Sequence, residues 1–302
     1  MHLGNGIICP VTGIPMIAVA LGTAVYAFKK VKTDFTQDKI LPAVASAMLV
    51  FGLQMINFAI PSTGSSGHIV GGILLAALLG PYAAFLAMCA ILLVQSVFFA
   101  DGGLLALGCN TFNMGILACF VAYPLLYKPL ADRNKPVLGA ILASVGALQL
   151  GSVAVVLEAM LSGSISGNLL DFTTLMQAIH LPIGIVEGVV TGAVLVLTKY
   201  LGQKNLSYTF FGASLLFAGL ISQYASSKPD GLEWSLLNMS DSVVEQTQYA
   251  LYNMAEALQA KTAVLSSIPS VAGNIAGLFV LGLIMYMVCL YFSKQTVKVH
   301  AE

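Results

Sequence analysis

Apolar runs close to twenty residues long succeed one another along most of this chain, and that repetition leaves little choice of fold. A run of this length crosses the hydrocarbon core of a bilayer as one helix. Inside lipid the backbone has to satisfy its own hydrogen bonds, which helices do within a single segment. The chain therefore reads as an all-α integral membrane protein. Charge agrees, since 9% of its 302 residues are charged and 58% hydrophobic, whereas a soluble domain carries about a quarter charged residues.

In order, the runs cover Thr12–Phe28, Leu41–Ile60, a shorter His68–Leu79, Tyr82–Phe99, Leu104–Leu126, Val137–Leu161 and about Phe172–Leu197. Two more, Tyr208–Tyr224 and Val271–Phe292, flank a polar stretch from Ala225 to Pro269. The expected organisation is a seven-span bundle over 1–205 joined to a two-span module over 206–302, with a long loop over 225–269. Within that loop Val243, Val244, Ala250, Leu251, Met254 and Leu258 recur among polar residues, which predicts an amphipathic helix over Ser240–Leu258. Alternating spans collect eleven of the thirteen Lys and Arg on one side, leaving Lys228 and Lys261 on the other. The positive-inside rule then places the N-terminus outside and the C-terminus in the cytoplasm. The chain opens without a basic region or an A-x-A cleavage signal, so no cleavable signal peptide is expected.

Zero net charge, with the basic residues in short clusters, argues against a nucleic-acid partner. The five cysteines form no C-x-x-C pair and read as packing residues, with Cys9 a remote candidate for a soft ligand. The opening Met1-His2-Leu3-Gly4-Asn5-Gly6 is different in kind. An α-amine, a backbone amide and an imidazole within two residues can close two fused chelate rings in one plane, which suits a square-planar ion such as Ni(II) or Cu(II).

Ionisable groups inside spans cost about 2.5–3.5 kcal/mol each and point to function. Here they are His68, Glu158, His180 and Glu187, with Asp101 at a turn beside Gly102-Gly103. His68 opens the third run on the same side as Met1; it is either a ligand or a helix-capping or interface residue. His180 and Glu187 share a face of the seventh run and are expected to pair with each other or with Glu158. Ala18/Gly22 and Ala20/Ala24 are small-xxx-small pairs that let another helix approach closely, either within this chain or from a partner membrane protein. No G-x-x-x-x-G-K-[ST] occurs, so no P-loop ATP hydrolysis by this chain, and no enzymatic activity, is expected.

Several of these segments together carry a resemblance. Met1-His2…Gly6, Pro61…Gly64-Ser65-Ser66-Gly67-His68…Gly71-Gly72, Phe98-Phe99-Ala100-Asp101-Gly102-Gly103, Gly108-Cys109-Asn110…Phe112-Asn113-Met114 and His180-Leu181-Pro182-Ile183-Gly184…Glu187-Gly188 resemble the substrate-binding membrane subunits of nickel/cobalt energy-coupling-factor transporters. Ala225-Ser226-Ser227-Lys228-Pro229-Asp230-Gly231-Leu232-Glu233 resembles the signature of their small two-span companion subunit, here fused at the C-terminus. The resemblance implies that the Met1 amine, the His2 amide and imidazole, and His68 form a four-nitrogen plane. That plane holds Ni(II) or Co(II) as transported substrate, with no organic cofactor. Asn5, Asp101, Asn110, His180 and Glu187 would support the ligands or the structure around them. A membrane coupling subunit and a pair of cytosolic ABC-type ATPases would be the partners, with Ala18, Ala20, Gly22 and Ala24 as a contact face. Many members carry an acid before the glycine matching Gly6; this chain has Asn5, which replaces an acid only in part.

Two other readings stay open. A passive metal channel would need no ATPase. An intramembrane serine protease would use Ser66 of Gly64-Ser65-Ser66-Gly67 as nucleophile and His180 as base.

Overall fold

The computed structural model describes residues 2–32, 35–165, 168–239 and 250–299. Among them seven helices are long and apolar enough to cross a membrane: Pro10–Val31, Pro81–Phe99, Leu107–Ala131, Pro136–Leu161, Leu169–Thr198, Lys204–Tyr224 and Ser270–Val297. Large apolar side chains such as Val11, Leu21, Leu125, Leu161 and Leu283 stand exposed along these helices, as on a surface solvated by lipid tails. The all-α membrane architecture is what the apolar runs predicted.

Proline opens several of the helices at the position where a missing N–H costs nothing. Pro10 begins α1 (Pro10–Val31), Pro81 begins α4 (Pro81–Val94) and Pro136 begins α7 (Pro136–Leu161). Two runs behave differently from expectation. The second is helical only over α2 (Ile40–Gln54), and the third only over α3 (Gly72–Leu79). Between them the chain leaves the helix and forms a hairpin of two short antiparallel strands, β1 (Phe58–Ala59) and β2 (Ser66–Gly67). Gly64 and Gly71 lie in the left-handed region, where glycine has no steric penalty. These turns cut the apolar runs short, so His68 lies between β2 and α3, outside any helix, rather than at a helix start.

The fifth span is irregular. α5 (Leu107–Thr111) passes into a π-helical stretch over Phe112–Tyr127 containing Pro124, then into α6 (Lys128–Ala131). α4 likewise ends in a π turn over Gln95–Phe99. α8 (Leu169–Thr198) packs along α7 through Gly184, Gly188 and Gly192, spaced one turn apart. A Cβ at Gly184 would stand 2.8 Å from the Val145 Cα, and one at Gly188 would overlap Ile141. Glycine at every fourth position lets two membrane helices meet backbone to backbone.

α9 (Gln203–Gly219) and α12 (Ser270–Val299) do not stand apart from the earlier helices. Both pack on α2, where Gly52 meets the Ser214 backbone and Gly282 meets Met48. Their buried residues Phe210, Leu278, Leu281 and Phe292 belong to the same apolar core as Phe51, Phe85 and Ile91. Between α9 and α12 come α10 (Gly231–Leu237) and α11 (Ala250–Thr262). The amphipathic helix expected over Ser240–Leu258 is thus helical from Ala250 and runs on to Thr262. Its first part, Ser240 to Tyr249 by number 240–249, lies outside the described residues.

Candidate metal centre

The chain from His2 to Ile7 turns back into the bundle and is held by side chains from distant segments. Asn110, 2% exposed, grips Leu3 at both backbone groups: its Oδ1 accepts from the Leu3 N–H at 2.8 Å and its Nδ2 donates to the Leu3 carbonyl at 3.1 Å. Gly103 N–H adds a bond to the same carbonyl at 2.8 Å. Asn5, also buried, accepts from the Leu105 N–H at 2.9 Å and donates through Nδ2 to Gln259 Oε1 at 2.7 Å and Glu256 Oε1 at 3.1 Å. The departure from an acid at this position therefore has a partner in α11: two acceptors that only a donor can serve.

This docking brings His2 against His68. Their rings stack with centroids 5.2 Å apart and planes 23° from parallel. First-row ions bind imidazole nitrogen at about 2.0–2.1 Å, so two imidazoles on one ion lie roughly 4–6 Å apart centre to centre. His2 Nδ1 stands 3.5 Å from Asp101 Oδ1. His68 Nδ1 lies 3.3 Å from the Ile69 carbonyl, an acceptor, so Nδ1 donates and Nε2 keeps its lone pair. Met1, the remaining sequence candidate, lies outside the described residues. Among the described residues no three His, Cys, Asp or Glu side chains converge as a metal site.

The segment carrying His68 is fixed from two directions. Glu187 on α8 accepts from the Val70 N–H at 2.7 Å and the Gly71 N–H at 3.2 Å. The expected pairing of His180 with Glu187 or Glu158 is therefore not what forms. His180 Nδ1 instead donates to the Met176 carbonyl one turn back at 2.7 Å, and Glu158 accepts from Asn113 Nδ2 at 2.7 Å. From the other direction the Pro229 carbonyl accepts from the Ser66 N–H at 2.8 Å, and the Lys228 carbonyl from its hydroxyl at 2.7 Å. Trp234 Nε1 donates to the Thr63 carbonyl at 2.9 Å. Asp230 caps α10 by accepting from Glu233 N–H at 2.8 Å, with the capping-box spacing of Asp-x-x-Glu. A small cavity of about 10 Å³ remains between His68, His180, Asp230 and Gly231, at the lower limit for one water.

The other sequence candidates separate. On α1, Ala20 is buried and Ala24 packs against the core, while Ala18 and Gly22 are exposed. The small-residue face is thus split between an inward and an outward pair. The Ser66 hydroxyl is committed to a backbone carbonyl and His180 Nδ1 to another, so no hydrogen bond joins them, as a protease pair would need. Cysteines 9, 89, 109, 119 and 289 are free and mostly buried. Gln54, Gln95 and Gln259 went unread in the sequence, because a buried amide leaves no mark there beyond a single polar letter inside an apolar run.

Gly103 carries a direct test of the docking. A Cβ there would overlap Asn5 at both its backbone nitrogen and Oδ1. Gly103→Ala is expected to push the N-terminal segment out of its groove, breaking the Asn5 bonds to Leu105, Gln259 and Glu256, and so to lower the thermal unfolding midpoint of the purified protein. An unchanged midpoint would mean that the groove does not hold the segment.

Residues 2–203 match the family described as the cobalt uptake substrate-specific transmembrane region. The chain belongs to that family. Residues 204–293 match a second family, the PDGLE domain, named for the run that here reads Pro229-Asp230-Gly231-Leu232-Glu233. A putative fused nickel transport protein of Archaeoglobus fulgidus is 34% identical over 197 residues, 64% of this chain and 64% of its own length. A probable fused nickel transport protein of Lactiplantibacillus plantarum is 38% identical over 125 residues, 41% of this chain and 38% of its own length. A crystal structure of a truncated transition metal transporter superposes with a TM-score of 0.59 at 32% identity, covering 67% of this chain and all of that one.

Proposed function

We propose that this member of the cobalt uptake family is the substrate-specific subunit of an ATP-driven nickel or cobalt importer. It captures Ni(II) or Co(II) at the outer face through the Met1 amine, the His2 amide and imidazole, and His68. It then hands the ion inward together with a membrane coupling subunit and a pair of cytosolic ATPases. Residues 1–205 form the metal-binding part and 206–302 the fused companion, with the N-terminus outside. The exposed Ala18/Gly22 pair on α1 is the contact offered to the coupling subunit.

The observation that carries the reading is the stacking of His2 on His68, two residues far apart in the chain held together at the head of the bundle. A plane of nitrogen donors rejects Mg(II) and Ca(II), which require oxygen ligands. Replacing both imidazoles, His2→Ala together with His68→Ala, tests the reading. Two of the four nitrogens are then gone, and tight nickel and cobalt binding by purified protein is expected to disappear. Full retention would sink the reading. Uptake by cells that survives loss of the ATPases would favour a passive channel instead.

A further inference from the structure

Three buried amides and carbonyls run in line from the interior to His2, and their chemistry can be read in one direction. The Val70 carbonyl can only accept, so the Gln54 atom 2.7 Å from it is the amide nitrogen. The Gln54 oxygen therefore faces the next residue, Gln95, whose nitrogen donates to it at 2.7 Å. That leaves Gln95 Oε1 pointing at His2 Nε2, 3.2 Å away. An amide oxygen cannot donate. His2 Nε2 must carry a proton, and in a neutral ring Nδ1 then keeps its lone pair.

We infer that Gln95, locked by Gln54, is a positioning residue that holds His2 in the Nε2–H tautomer and so presents Nδ1 to the incoming metal ion. The inference rests on the reading of His2 as a ligand. Nδ1 is the ring nitrogen near enough to its own backbone to close a six-membered chelate ring with the His2 amide; Nε2 is turned away. Asp101 pulls the other way, because its carboxylate 3.5 Å from Nδ1 favours a proton there. Asp101 is 43% exposed, whereas Gln95 and Gln54 are 0% and 5% exposed. Water competes for the first bond and not for the amide chain, so the amides decide. The chain is anchored beyond Val70 as well, because the Val70 N–H is held by Glu187 of α8. Gln95 also opens the π turn at the end of α4, the type of irregularity that recurs where a helix serves a site.

The test uses the full-length apoprotein in detergent, labelled with 15N-histidine and examined at alkaline pH where the rings are neutral. The His2 resonance is assigned by its loss in His2→Gln. The wild type is expected to show the Nε2–H tautomer. Gln95→Leu is expected to move it toward Nδ1–H and to weaken Ni(II) binding by about 10–100-fold, the range for lost support of a histidine ligand. Gln95→Glu keeps an oxygen facing His2 though it loses the donor to Gln54 Oε1, and is expected to retain the Nε2–H tautomer; the thermal unfolding of each variant shows whether its fold is kept. A wild-type Nδ1–H tautomer, or no shift in Gln95→Leu, overturns the inference while leaving the ligand reading intact. A shifted tautomer with unchanged nickel affinity overturns both the role of Gln95 in capture and the reading of Nδ1 as a ligand.

Discussion

Glu187→Ala is expected to weaken nickel binding about 30-fold or more although Glu187 makes its hydrogen bonds two and three residues beyond His68. Its carboxyl group, on a residue 1% exposed, receives the Val70 and Gly71 N–H groups inside the bundle. Each buried donor left without a partner costs about 1–3 kcal/mol, so the pair costs roughly 2–6 kcal/mol in the arrangement that presents His68. The turn has no alternative geometry to fall back on. Gly71 has φ +79°, and a Cβ there would meet Val50 at 2.5 Å, so the segment is shaped by both the glycine and its acceptor. At about 1.4 kcal/mol per tenfold, an affinity loss of about 30-fold or more follows. Glu187→Gln keeps one acceptor oxygen but turns an NH2 toward the second donor, and an intermediate loss is expected. Calorimetric titration of both variants with nickel, beside their thermal unfolding, separates a displaced ligand from an unfolded chain. Wild-type affinity in Glu187→Ala would show that the His68 segment is held elsewhere.

The same residue marks where the sequence stops being readable. The spans were legible because hydrophobic burial is additive and local: each run needs only its own letters, and Pro10, Pro81 and Pro136 punctuate three of them. Glu187 was legible as a costly group inside a membrane, but its partner is backbone, and backbone has no letter. The expected partner, His180, spends its Nδ1 on its own helix instead. His68 was found as a residue and misplaced as a structure, since the apolar letters Ile69 and Val70 continue a helical run that Gly71 breaks. Gly184, Gly188 and Gly192 could have been read as a helix-contact stripe from their spacing alone. The reach of α10 and α11 across the site could not, because the contact joins residue 5 to residue 259 and no periodicity spans that distance.

That long-range contact yields the second large effect. Asn5→Asp changes one NH2 group to oxygen and is expected to weaken nickel binding by about 10–100-fold, as losing the support of a ligand-bearing segment does. The reason is a fixed direction in the bonds. Gln259 Nε2 donates to the Ser96 carbonyl at 2.8 Å and the Gly102 carbonyl at 2.7 Å. Neither can reverse, so Gln259 must present its oxygen to position 5. Glu256 presents another at 3.1 Å. An aspartate would set its own oxygen against both, losing two hydrogen bonds and gaining repulsion from Glu256. Its other oxygen would still accept from the Leu105 N–H, so the substitution isolates the donor half of Asn5. Adding Glu256→Gln supplies a donor opposite the new acid and is expected to recover part of the affinity, whereas Glu256→Gln alone should stay near wild type. Nickel titrations of the three variants decide it. If Asn5→Asp binds like the wild type, or the second change recovers nothing, α11 does not hold the N-terminal segment. If the pattern appears, an amide at position 5 is the counterpart of the amide at 259, and the companion part of this chain shares in building the site it covers.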